Sequence, residues 1–587
     1  MATTPWTIRL SRHGAALGLL LVMFCLTGIE SPLMAESTRG LAVPMAGQNA
    51  PNAGTGQADG ISKPNEQNTN AMAQNPILWT DVPDNSAIRV GDTYYMSSTT
   101  MHMNPGLPIM KSKDLVSWRI VNYAYDILGN TDALALRDRK GEYGRGSWAS
   151  SLRYHNGTFY VTTFSGTTGK TYIFKTKDIE KGPWALSAFE PALHDHSLFF
   201  DDDGRVYMTT GSGNIKLVEL KDDVSGIKSG GVNQVIIPNA SLVAGPNVGL
   251  PAEGSQIHKI NGKYYVFLIT WPKGSMRTEL VFRADKITGP YEGRVALRDQ
   301  GVAQGSIIDT PQGKWYAFLF QDHGAVGRTP CLVPITWEDG WPVMGVDGKA
   351  PQTLDIPISD GGMDGIVASD EFERPATLLA DLRKASGGEN DYIRSAFPGQ
   401  WQWNHNPDNR FWSLTQRSGW LRLTTGRIDA SLVEARNTLT QRTFGPECSG
   451  DIAMDVSNMK DGDFAGLAAF QKHYGFVGVK ISGNARSIVM VSAESGTPVV
   501  VEGVPFEQTA VCVKIEMDFK NRADKAHFYY SLDGLRWKPI GKALKMAYTL
   551  PHFMGYRFAL FNFATKSTGG FVDFDYFRVE NKLAGTD

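Results

Sequence analysis

One short pattern recurs five times between residues 84 and 316 and limits what this chain can fold into. The copies are Asp84-Asn85-Ser86, Trp148-Ala149-Ser150, Asp195-His196-Ser197, Glu253-Gly254-Ser255 and Gln304-Gly305-Ser306. Each runs into a turn glycine with a tyrosine three residues later: Gly91/Tyr94, Gly157/Tyr160, Gly204/Tyr207, Gly262/Tyr265 and Gly313/Tyr316. The flanking residues are aromatic and β-branched, so each copy reads as a strand, a tight turn and a second strand. Successive turn glycines are 66, 47, 58 and 51 residues apart, the length of a four-stranded unit with its loops. Five such units predict a closed five-bladed β-propeller.

The rest of the chain divides around that core. Residues 1–35 have the features of an export signal: Arg9 and Arg12, an apolar run Ala15–Leu26 too short to span a bilayer, and Met34-Ala35 ahead of Glu36. An exported protein, periplasmic or extracellular, follows, with no stable membrane insertion once the signal is removed. Residues 36–74 are rich in Asn, Gln, Gly, Ala and Pro and read as a flexible tether. The propeller is expected over 75–350 and a Pro/Gly/Asp-rich linker over 351–368. Residues 369–587 carry further strand signals without the five-fold frame, which predicts an independent antiparallel β-sandwich and an all-β protein. Cys331, Cys448 and Cys512 lack metal-ligand spacing; Cys448 and Cys512 fall in the same region, where pairing and buried free thiols both stay open. The formal net charge of −2 excludes a basic footprint for nucleic acid.

The frame's variable first position carries the chemistry. Residues two apart on a strand share a face, so this residue and the serine point together toward the propeller axis. Asp84, Trp148, Asp195, Glu253 and Gln304 are therefore expected to ring one pocket. Singly, each acidic residue reads as a turn or surface group; equivalence within a repeat favours a shared site. Three carboxylates there suit inverting glycoside hydrolysis, in which one carboxylic acid protonates the leaving oxygen and one carboxylate activates water. A third carboxylate raises the pKa of the acid by like-charge repulsion. Trp148 offers an apolar face to a sugar ring, and Arg328 offers hydrogen-bond donors. Metal binding by the clustered carboxylates is the weaker competing use.

With Asn75-Pro76-Ile77-Leu78, Pro83-Asp84-Asn85-Ser86, Trp148-Ala149-Ser150, the run Asp195–Gly204 and Glu253-Gly254-Ser255, the chain resembles glycoside hydrolase family 43. The resemblance implies a five-bladed propeller, inversion of configuration, Asp84 as general base, Asp195 as the residue tuning pKa and orientation, and Glu253 as general acid. It matches Arg328 to a substrate-contacting arginine. Residues 369–587, with Trp401–Asp408, resemble the concanavalin-like C-terminal sandwich of xylosidase-type members. Two departures stand out: Asn85 and His196 replace a common proline, and Gln304 stands where a histidine often organises a central calcium or water. The implied activity is exo-hydrolysis of terminal pentoses from plant cell-wall oligosaccharides or polysaccharides, foremost as a β-1,4-xylosidase. An α-L-arabinofuranosidase is the alternative, and a non-catalytic carbohydrate-binding propeller the remote one. Met101–Pro105 is a candidate wall for discriminating the two sugars. No cofactor is needed for the chemistry; a structural calcium near Asp370, Asp573 and Asp575 is a further expectation.

Overall fold

The computed structural model describes residues 71–358, 363–385, 387–389 and 396–583. The expected export signal, and the tether up to residue 70, lie outside the described residues. Five four-stranded antiparallel sheets follow one another along the chain. Their first two strands are Ser86–Val90 and Thr93–Ser97, Ser151–His155 and Thr158–Ser165, Ser197–Phe200 and Val206–Thr210, Val248–Ile260 and Lys263–Pro272, and Ala303–Asp309 and Trp315–Asp322. The five turn glycines join these pairs, all at positive φ between 64° and 81°, a region glycine enters without steric cost. The first strand of each blade neighbours those of the adjacent blades in a closed cycle.

The constant serine of the frame has a structural purpose that spacing alone did not reveal. All five serines reach an adjacent blade. Ser86 Oγ accepts the N–H of Leu152 at 3.0 Å, and Ser197 Oγ that of Ile257 at 3.1 Å. Ser150 Oγ meets Ser97 Oγ at 2.8 Å, and Ser255 Oγ donates to the carbonyl of Asp195 at 2.8 Å. Ser306 Oγ accepts Ala87 N–H at 2.8 Å and so joins the fifth blade to the first. Where innermost strands converge there is room for only a small side chain, and unpaired backbone N–H groups there need a partner.

The segment expected as tether and linker is partly structured. Met72–Gln74 pairs with Thr353–Pro357 as a two-stranded ribbon. Asn75 Nδ2 donates to the carbonyls of Leu332 and Pro351, both at 2.8 Å. Leu354, Ile366 and Val367 are buried, so apolar residues within a Pro/Gly-rich stretch tie it down.

The C-terminal part is a sandwich of two eight-stranded antiparallel sheets. One of them takes in a propeller strand: Met103–Asn104 pairs with Gln402–Asn404. The seam between the two parts also holds a buried aromatic cluster, with His102 and His405 ring centroids 4.6 Å apart and Tyr143 stacked on His552 at 4.1 Å. Met101–Pro105 thus belongs to this seam: Met101, His102, Met103 and Asn104 are all buried. Cys331, Cys448 and Cys512 are free thiols.

The calcium expected near the sandwich ends meets a different arrangement. Arg374 forms a two-pronged ion pair with Asp370 at 2.9 and 2.8 Å. Arg422 does the same with Asp573 at 2.7 and 2.8 Å. Asp370, Asp573 and Asp575 do not gather around one point among the described residues; guanidinium groups satisfy the first two carboxylates.

Two outcomes follow. Ser306→Ala leaves the buried Ala87 N–H unpartnered and should cost about 1–3 kcal/mol; an unfolding midpoint equal to that of the exposed control Ser495→Ala would refute the closure role. Burial pushes His102 down to about 3, and His405 and His552 well below 6.5. Unfolded histidines take up protons near 6.5 while the folded ones resist. The stability they contribute is therefore complete above that pH and falls toward pH 3, by up to about 1.4 kcal/mol per pH unit for each. The melting temperature should drop across this window, with a shallower slope for His102→Asn; equal slopes would sink the assignment.

Candidate active site

The frame's first residues gather where the innermost strands open. Asp84, Asp195 and Gln304 occupy the same left-handed backbone region, with φ of 50°, 45° and 57°. Such a conformation is costly outside glycine and clusters at functional sites. In the fourth copy the left-handed residue is Gly254 at φ 67°, one position later, and the pairing of Glu253's strand shifts register on both sides of it. A Cβ at Gly254 would lie 2.8 Å from the Gln304 amide, so this glycine admits Gln304 to the ring.

Asp84 is buried and receives Arg328 Nη1 on Oδ1 at 2.8 Å. Burial raises its carboxyl above the ordinary value, while Arg328 and Arg277 oppose the rise. Direct contact with a permanently charged guanidinium favours the carboxylate. The Arg328 guanidinium lies between the rings of Phe320 and Phe553, at 5.2 and 4.9 Å. Its Nε and Nη2 have no partner although the residue is only 4% exposed. Buried donors of this kind point to a ligand that completes them.

Asp195 Oδ2 accepts the N–H of Gly254 at 3.1 Å, so it holds the backbone beside Glu253. His194 Nε2 lies 3.1 Å from Glu253 Oε2 and 3.8 Å from Asp195 Oδ2. Burial raises Asp195 to about 7, with His194 opposing and the charges of Glu253 and Asp84 adding to the rise. Burial also disfavours the His194 cation, but Asp195 and Glu253 outweigh it and hold the imidazolium. The three ligand atoms lie within 4.8 Å of one another and form the one group of metal-ligand type among the described residues. As a metal site it would supply three donors, fewer than the six to eight oxygens of calcium.

Below this ring, on the axis, lies a cavity of about 10 Å³ lined by Asp84, Asn85, Asp195, Gln256 and Gln304. That is space for a single water. Gln304 is held by its own N–H, which Glu279 Oε2 accepts at 2.7 Å. The lining of neutral amides and serine hydroxyls gives a bound cation little charge beyond Asp84 and Asp195. His196, in place of the common proline, bonds the Leu193 carbonyl and Thr162 Oγ1 and anchors the third blade to the second.

Beside the carboxylates a cleft of about 340 Å³ is lined by Arg145, Trp148, Phe164 and His194. Trp148 stands 6.4 Å from Phe164 and 5.1 Å from Phe553. Trp148 borders this cleft, and Arg328 contacts Asp84 and the Phe553 ring. His194, Phe164 and Phe553 border the site as well, outside the frame's first positions. His194 adjoins a frame residue and was open to detection; Phe553 belongs to the sandwich and no spacing rule reaches it.

Comparison with known proteins agrees with this geometry. Residues 73–342 match the family described as glycosyl hydrolases family 43, and residues 390–580 match the β-xylosidase C-terminal concanavalin A-like domain. A β-xylosidase of Formosa agariphila is 30% identical, the match covering 86% of this chain and 89% of that one. A non-reducing end α-L-arabinofuranosidase of Bacteroides ovatus is 25% identical over 68% of this chain and 74% of that protein. Among solved structures, a bifunctional GH43-CE protein of Bacteroides eggerthii is 59% identical with a TM-score of 0.84, covering 88% of this chain and 64% of that one. The chain thus spans a little under two thirds of that structure. With a propeller and sandwich matched in sequence and in shape, the chain belongs to glycoside hydrolase family 43.

Proposed function

We propose that this glycoside hydrolase is an inverting, exo-acting β-1,4-xylosidase on xylan-derived oligosaccharides, and that its signal-like leader exports it. The observation that carries the mechanism is the division of the three carboxylates between two environments. Asp84 is locked to Arg328, which suits a base that must be ionised to activate water. Glu253 shares hydrogen-bond distance with His194 and is flanked by Asp195. Asp195 and Glu253 favour the protonated form of His194, which places a proton donor within hydrogen-bond distance of Glu253 Oε2. Asp195 fixes the Gly254 backbone and so the direction of Glu253. Arg328 Nε and Nη2 are free to donate to sugar hydroxyls, and Trp148, Phe164 and Phe553 give apolar walls. Phe553 reaching in from the sandwich closes one side of the site, which suits a chain end. The chemistry as drawn uses no cofactor.

The β-xylosidase name of the Formosa relative supports xylose. The Bacteroides ovatus arabinofuranosidase supports the second reading, an α-L-arabinofuranosidase, on the same carboxylates.

Glu253→Gln should lower kcat on an aryl β-xyloside by about 10²–10⁴-fold while substrate binding persists; undiminished turnover would remove Glu253 from the acid role. Proton NMR of the first product should show the α-anomer from a β-xyloside, and a β-anomer would contradict inversion. A larger kcat/KM for an aryl α-L-arabinofuranoside than for the β-xyloside would select the second reading. Phe553→Ala should raise KM about tenfold, by loss of roughly 1.4 kcal/mol of ring contact, with less change in kcat; an unchanged KM would mean that the sandwich takes no part in the site.

A further inference from the structure

The sandwich carries a second cavity that the catalytic reading does not use. It holds about 360 Å³, within the usual size of small-ligand sites, and shares no lining residue with the site around Asp84 and Glu253. Strand Leu421–Thr424 and the residues after it form one wall, strand Arg557–Ala564 another, and Arg137 of the propeller reaches its rim.

Its polar groups are set in advance. Arg410 grips Asp408 with Nε and Nη2 at 2.8 and 2.6 Å. Asn437 pins the Asp408 backbone on both sides, its Oδ1 accepting the N–H at 2.7 Å and its Nδ2 donating to the carbonyl at 2.8 Å. Arg427 pairs with Asp429 at 2.8 Å. Arg436 pairs with Glu389 and Arg137 with Asp132, so among the described residues each guanidinium lining the cavity is answered by a carboxylate.

The decisive group is Asn562, which is 5% exposed and lines the cavity. Its Nδ2 donates to the carbonyls of Leu423 and Gly570, at 2.8 and 3.4 Å, which settles the amide orientation. Its Oδ1 is left with no partner. An unpartnered buried acceptor is completed by a group that brings a donor. A sugar hydroxyl does so; an ionised carboxylate group does not. Phe411, half-buried in the same wall, adds an aromatic surface.

We propose that this cavity is a second, non-catalytic glycan site that takes a neutral, hydroxyl-rich sugar of a pentose chain. Asn562 Oδ1 and the Asp408 carboxylate accept from its hydroxyls, Arg410 donates to them, and Phe411 packs on a ring face. Only the choice of a xylose chain as probe rests on the proposed function.

The test uses the full chain carrying Glu253→Gln, titrated calorimetrically with xylohexaose. A binding event retained in that variant and weakened at least tenfold by adding Arg410→Ala is expected. Arg410 is half exposed, so its removal spares the core; Phe411→Ala serves as the second variant. Arg410→Ala in the otherwise native chain should leave turnover of a small aryl xyloside unchanged. If Glu253→Gln shows no event sensitive to Arg410→Ala or Phe411→Ala, the proposal is overturned. It is equally overturned if inorganic phosphate or glucuronate binds in an Arg410-dependent way and xylohexaose does not. Failure of the native chain to cleave the aryl xyloside would count against the xylosidase reading alone, because the calorimetric event is scored without turnover.

Discussion

The Asp81 carboxylate is the joint on which the catalytic end of the molecule depends. One oxygen accepts the N–H of Arg328 at 2.7 Å and the other the N–H of Gly555 at 3.0 Å. The first contact fixes the strand that delivers Arg328 to Asp84, and the second fixes the sandwich loop that delivers Phe553. A buried carboxylate satisfied by two backbone donors is costly to leave half-paired. Asp84, its guanidinium partner and the aromatic wall therefore hold their places together, and the propeller's site is incomplete without the sandwich.

Closure of the propeller rests on smaller contacts repeated around the axis. Serine hydroxyls stitch each blade to a neighbour, including the fifth to the first through Ser306 and Ala87. These bonds occupy the third position of the frame and leave the first position free to vary from blade to blade. That division explains how one scaffold presents Asp, Trp, Asp, Glu and Gln from equivalent places. The left-handed backbone at Asp84, Asp195 and Gln304 turns the side chains into the opening; the strain it costs is held by the surrounding ladder.

Electrostatics then separates the carboxylates that the repeat had made equivalent. Asp84 has a fixed cation in contact, whereas Glu253 has a titratable imidazole and a neighbouring carboxylate. Groups of one chemical type acquire different electrostatic environments in this way. His194 is the residue that sets the surroundings of Glu253 apart from those of Asp84, and it stands immediately before Asp195.

Much was legible in the chain because the fold is repetitive and local. The turn glycines, the alternating strands and the frame exposed five blades, and equivalence within the frame singled out Asp84, Trp148, Asp195, Glu253 and Gln304. The family resemblance added Arg328. What escaped lay in contacts between distant segments. Met72–Gln74 looked like tether until Thr353–Pro357 paired with it, and Met101–Pro105 looked like pocket wall until the sandwich took Met103–Asn104 into its sheet. Asp573 meets Arg422, 151 residues away, a pairing that no local spacing announces. Periodicity, turn chemistry and residue type are properties of neighbours along the chain, so the sequence determined the blades and the identity of the carboxylates. Which cation meets which carboxylate, and that Phe553 closes the site, are properties of neighbours in space, and only the docking of sandwich on propeller decided them.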